Sequence, residues 1–159
     1  MSDNLLIKEE NFEEVINSLT AAGVLISDLE NKGFILPIEV TETEEVFNRF
    51  TSDIRNHFLD QELQVRVIRS KDKVVKYQVL NAADVILPTL IFVGNFALSV
   101  GAGVLGNYLY SEYFESAARV KADILHLKTD NFDCKRYSIE GSAEDVIKIL
   151  ESLSGKEGV

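Results

Sequence analysis

The feature that most limits how this chain can fold is residues 85–111, where no charged side chain occurs between Asp84 and Glu112. Inside it, "FALSVGAGVLGNYLY" (96–110) carries Gly101, Gly103 and Gly106, a formal G-x-G-x-x-G. Three structures suit such a run. A strand–turn–helix unit would use the glycines to bring backbone N–H groups close to a dinucleotide pyrophosphate. A membrane helix needs roughly 20 apolar residues, and the small pairs Ala97/Gly101, Ser99/Gly103 and Ala102/Gly106 would let two such helices approach. A core helix would use the same glycines to cross a sheet, or a second copy of itself, at short range.

The dinucleotide reading takes "LIFVGNFALSV" as the strand, "NYLYSEYFESAA" as the helix and Asp130 as the ribose ligand. Only 53 residues follow Gly106, and they read as a hairpin plus a helix. A lone glycine motif is a weak signal. The membrane reading would strand residues 119–153 with little to bury Ile124, Leu125, Tyr137 and Ile139 against, and Asn95 and Asn107 would need partners. The core-helix reading meets fewer difficulties. Pro88 suits the first turn of a helix. Glycine is disfavoured inside a helix by about 1 kcal/mol relative to alanine, so several together imply close packing. Leu105, Tyr108, Leu109 and Phe114 keep amphipathic spacing. A buried central helix is therefore expected, whole or broken near Gly101–Gly103.

Around it the periodicity sets out the other elements. Asn11 and Glu14 form a capping box ahead of a helix whose apolar stripe is Phe12, Val15, Ile16 and Leu19, stopped by Gly23. "FILPIEV" (34–40) is β-prone, with Pro37 confining it to an edge. Thr41 and Glu44 repeat the capping pattern before Val46, Phe47, Phe50, Ile54 and Phe58, which predict a second helix. "LQVRVIR" and "KVVKYQVL", joined by Ser70–Lys73, read as one hairpin; "RVKADILHLK" and "KRYSIEG" read as another. Ser142 and Asp145 cap a last helix with Val146, Ile149, Leu150 and Leu153 on one face, and the tail "SGKEGV" is expected to fray. The predicted fold class is α+β, an α-β-α segment followed by ββ-α-ββ-α on a mostly antiparallel sheet. Residues 1–159 form one composite domain, with a seam near Asp60.

Charge narrows the partners. The chain carries a net charge of −10, which repels phosphate backbones, so nucleic acid is not expected. Residues 1–60 hold 4 Lys/Arg against 13 Asp/Glu, a net of −9. Such a face could steer a basic partner or simply solubilise two helices. Cys134 is the single cysteine, which fits a reducing compartment. The opening "MSDNLLIKEENFEE" lacks a basic region followed by an apolar run, so no signal peptide is expected, and the location is read as cytoplasmic.

Groups able to do chemistry are sparse. His57 and His126 are far apart in sequence with no cysteine pair nearby, so neither metal nor cofactor is expected. Pairing Cys134 with either histidine is the one available nucleophile–base arrangement. Glu42, Glu44 and Glu45 are explained by helix capping. Tyr108, Tyr110, Tyr113 and Phe114 form an aromatic cluster at the end of the apolar helix. Such clusters cap cores, anchor membrane helices or act as protein-binding hot spots.

The hairpin, the Gly/Ala-rich helix ending in "NYLYSEY" and "VKADILHL…KRYSIEGSAEDVIKILESL" resemble, in layout, small bacterial proteins of conflict systems. The resemblance is to effector-associated constant components and spans roughly residues 60–153. It implies a non-enzymatic adaptor or signalling module and assigns no functional residue. The expected function is protein–protein association, including homo-oligomerisation, with Gly101, Gly103, Gly106, Tyr108, Tyr110 and Tyr113 as the interaction residues. The alternatives are a single-span membrane effector using 85–111 and a nucleotide-binding enzyme using the Gly101–Gly106 loop.

Overall fold

Residues 85–111 do not form one helix. In the computed structural model, which describes residues 4–70, 72–78 and 84–155, the run divides into two strands and a helix. These are β7 (Val85–Ile86), β8 (Leu90–Val93) and α3 (Asn95–Tyr113). Pro88 does not begin the helix as expected. It lies in the break between β7 and β8, where a residue without an N–H interrupts a strand at little loss. Both strands run parallel to β9 (Arg119–Lys128), β7 at Val120 and Lys121 and β8 from Ile124 to Leu127. The unit β8–α3–β9 is thus a parallel βαβ crossover. Among the described residues no helix is long and apolar enough to cross a membrane.

The strand β10 (Asp133–Ser142) folds back on β9 from Asp133↔Lys128 to Ser142↔Arg119, as the second expected hairpin requires. Its outer side carries a strand the sequence pattern did not suggest, β1 (Leu5–Glu9), antiparallel to β10. On the far side of β8 lie β2 (Lys32–Ile35), antiparallel to it, and β5 (Gln64–Val67), parallel to β2. The sheet order is β1-β10-β9-β8-β2-β5 with β7 beside β9, a mixed rather than mostly antiparallel sheet. β2 ends before Pro37 and sits inside the sheet, not at its edge as the proline suggested.

A second, three-stranded sheet overturns two further expectations. Thr41 and Glu44 do form a reciprocal pair, Glu44 N donating to Thr41 Oγ1 at 3.0 Å and Thr41 N to Glu44 O at 2.8 Å. The pair closes a hairpin between β3 (Glu39–Val40) and β4 (Glu44–Phe47) instead of capping a helix. A capping-box sequence satisfies the same donors in a tight turn, so it does not specify a helix alone. The helix α2 (Thr51–Phe58) starts later, after Asn48, whose side chain accepts from Phe50 N at 2.8 Å. The predicted hairpin of 63–80 also fails. β5 joins the large sheet, whereas β6 (Val74–Tyr77) runs parallel to β4 in the small one. Lys71, residues 79–80 at the end of that expected hairpin and the tail 156–159 lie outside the described residues.

Helices cover both faces of the large sheet. Side chains alternate across it. Ile35, Leu90, Phe92, Ile124 and Ile139 face α2, α3 and α4 (Ala143–Leu153) in one core. Phe34, Ile91, Val93, Leu125 and Leu127 face α1 (Phe12–Ala21) in the other. α1 opens as expected, with Asn11 Oδ1 accepting from Glu14 N at 3.0 Å, and stops at Gly23, whose φ is 89°.

Candidate interaction site on helix α3

The strand β8 reads Leu-Ile-Phe-Val and is buried on both faces, so the helix that follows it is laid directly across the sheet. The turn between them is a single residue, Gly94, at φ 90° and ψ 163°, a conformation that favours glycine. The G-x-G-x-x-G lies in the middle of α3 and not in this turn, so its glycines do not form the strand-to-helix turn that the dinucleotide reading, with Asp130 as its ribose ligand, required.

Gly101 and Gly106 perform internal packing. A Cβ at Gly101 would lie 2.3 Å from Cε1 and Cζ of Phe92, so the ring of β8 occupies the space a side chain would need. At Gly106 a Cβ would meet Leu150 Cβ of α4 at 3.6 Å, an ordinary contact. Ala97, Ala102, Leu105, Tyr108 and Leu109 are buried on the same inner side. Tyr108 meets His57 of α2 edge-on at 4.8 Å and Tyr113 at 6.1 Å. Its hydroxyl has no hydrogen-bond partner among the described residues. Burial, then Tyr113 and the carboxylates of Asp53 and Glu112, raises its ionisation well above the ordinary tyrosine range. Tyr108 and Tyr113 are therefore brought together at the seam between α2 and α3.

The outward side of α3 has a different order. Phe96, Val100, Gly103, Asn107, Tyr110 and Phe114, the last at the helix's C-cap, recur at alternating steps of four and three, the 3.5-residue period of a helix–helix seam. Phe96, Asn107, Tyr110 and Phe114 are exposed, and Val100 and Gly103 are half-buried. Tyr110 is 59% and Phe114 42% exposed, with their rings 4.7 Å apart. No charge interrupts the stripe. Of the six residues expected to mediate interaction, Gly103 and Tyr110 lie on it, Gly101, Gly106 and Tyr108 lie inside the core, and Tyr113 is half-buried at the α2 seam. Phe96, Val100 and Asn107 join the stripe without having been among the expected residues. The buried row Leu98, Ala102, Leu105 and Leu109 recurs at the same steps, so spacing alone does not separate the outer face from the inner one.

The remaining chemical groups stand apart from one another. Cys134 is buried in the α1 core, and its thiol is pushed up to about 11 by burial and then by Glu10 and Asp133, which keeps it protonated. His126 is buried on the opposite face, its Nε2 without a partner among the described residues. Burial pushes its ionisation down, against a hydrogen bond to the Gly94 backbone. Lying on opposite faces of the sheet, the two do not form a nucleophile–base pair. His57 binds the Asp53 carbonyl through Nδ1 at 3.1 Å. Glu45 is buried and accepts the Ser70 amide on both oxygens at 2.9 and 3.0 Å. Glu44 sits in the β3–β4 turn and pairs with Lys76, so neither caps a helix. No three histidine, cysteine or carboxylate side chains among the described residues converge as a metal site would require.

Compared with family models, with curated proteins and with solved structures, the chain matches none, so its reading rests on its own residues and geometry.

Proposed function

We propose that this chain is a protein–protein association module that pairs first with a second copy of itself through the outward stripe of α3. One observation carries the reading: a mostly apolar helix whose outer stripe holds no charge and leaves the large aromatics Phe96, Tyr110 and Phe114 exposed. A helix that is hydrophobic all round normally has something covering it. A second copy fits for two reasons. Laid antiparallel on itself about a two-fold axis, the stripe sets Phe96 opposite Phe114, Val100 opposite Tyr110 and Gly103 opposite Asn107, so that small faces large along its middle. A chain of net charge −10 also repels its own copy over most of its surface, and a charge-free stripe avoids that repulsion.

The buried, protonated thiol and the buried histidine support binding over catalysis. In this reading the protein is a cytoplasmic adaptor, in keeping with the accessory role in bacterial conflict systems that the layout resemblance implies. Sedimentation equilibrium tests it. The native chain should dimerise at micromolar concentration, and Tyr110→Asp should weaken the dimer at least tenfold while leaving the thermal melt of the monomer unchanged. A native chain that stays monomeric at high micromolar concentration would overturn the proposal.

A further inference from the structure

Half of the chain's six arginines line one cavity. Arg55 comes from α2, Arg66 from β5 and Arg69 from the segment after it, and all three are exposed. The cavity is about 490 Å³, within the roughly 300–1,000 Å³ of small-molecule sites. Phe47 of β4 and Tyr77 of β6 also line it, ring centroids 6.1 Å apart and tilted by 39°. Thr51 and Ser52, the first residues of α2, complete it. Among the described residues no aspartate or glutamate lines it; Asp28 lies in the adjoining cavity that Arg55 and Arg66 also border.

The other three arginines have partners. Arg119 Nε lies 2.9 Å from Glu140, Arg136 bridges Glu10 and Asp123, and the Arg49 guanidinium sits 4.6 Å from the centre of the Phe50 ring. Among the described residues, Arg55, Arg66 and Arg69 have no carboxylate within 4.0 Å. Glu45, buried on β4 and brought beside Arg69 by the fold, is taken by the Ser70 amide. Three mutually repelling cations without counter-charges, in a chain with 26 carboxylates, mark a place where the missing anion is supplied from outside. Thr51, 3% exposed, leaves its Oγ1 without a partner among the described residues.

We propose that this cavity binds a small organic phosphate of the mononucleotide class, the phosphoryl group on the arginine forks and the planar ring against Tyr77. Guanidinium forks match phosphate oxygens bidentately, and an aromatic ring offers a stacking face to a base. The site uses none of the α3 stripe, so its existence does not depend on self-association.

Isothermal titration with AMP, GMP, UMP and flavin mononucleotide tests it, beside adenosine, inorganic phosphate, a phosphotyrosine peptide and an acidic unphosphorylated peptide. At least one mononucleotide should bind about tenfold tighter than adenosine or phosphate alone. Arg66→Ala and Arg69→Ala should each weaken it about tenfold or more, Arg66→Lys should fall between, and Arg119→Ala should change nothing. Thermal melts establish that each variant stays folded, which is expected because the arginines are exposed. No mononucleotide binding, binding indifferent to both alanine variants, or a peptide that outcompetes every mononucleotide would each overturn the proposal; the last would assign the cleft to a protein partner.

Discussion

Helices α3 and α4 lie side by side on the same face of the sheet and bury residues in the same core, yet they are built on opposite plans. α4 is amphipathic. Ser142 Oγ accepts from Asp145 N at 3.2 Å, Glu144 and Asp145 occupy its first turn, and Lys148 pairs with Glu144 at 3.4 Å on its outer side. Ala143, Val146, Ile147 and Leu150 face inward. α3 has neither a side-chain cap nor an acid in its first turn or a base in its last, and its few polar residues, Asn95, Ser99, Asn107, Ser111 and Glu112, form no continuous polar face. The contrast teaches that a helix with a polar face states its own orientation, whereas one without it is oriented only by what its backbone can approach. In α3 that approach is the seating of Gly101 on Phe92.

The largest effect should come from Gly101→Leu, which forces a side chain into the Phe92 ring and should destabilise the fold by about 3 kcal/mol in urea unfolding. Adding Phe92→Ala to that variant should recover part of the loss, because the two sites share one contact. A midpoint unchanged by Gly101→Leu would break the comparison at its base. Ser142→Ala removes the device that α4 has and α3 lacks, and should cost about 1 kcal/mol by thermal unfolding. Gly106→Ala should go the other way. Its Cβ would meet Leu150 at an ordinary 3.6 Å, so the gain in helix propensity, up to about 1 kcal/mol, should show as a raised Tm. A lowered Tm would mean that α3 and α4 are already in tight contact there. Smallest of all, Lys148→Ala should change stability by less than about 0.5 kcal/mol, since the pair with Glu144 is exposed.

The two parts of the molecule differ in legibility for the same reason. The β9–β10 hairpin, α1 and α4 were readable because their determinants are near in sequence: a polar turn, a capping residue three positions from its donor, a stripe at helical spacing. β1 carries no pattern of its own, because Leu6 and Ile7 on its two faces are both exposed and leave no alternation of apolar and polar residues. β5 and β6 read as a hairpin in sequence since nothing local distinguishes two adjacent strands that pair with each other from two that pair elsewhere. In α3 the three glycines stand out as a group in sequence, but only two of them pack inward, and the outer stripe is defined by the inner contacts. The cluster of Arg55, Arg66 and Arg69 had no local signal at all, being gathered from a helix, a strand and a loop.

Composition and short-range pattern settled that this chain builds helices and strands around an apolar core, that it carries excess acid, and where its capped helices start. The pairing of strands, parallel or antiparallel, and the choice of which glycine meets which ring came from contacts between residues distant along the chain. The reason is physical: caps and turns satisfy hydrogen bonds among neighbours, so their energies are written locally. A parallel strand or a glycine seat gains its energy from a partner reached only after the chain has closed a loop.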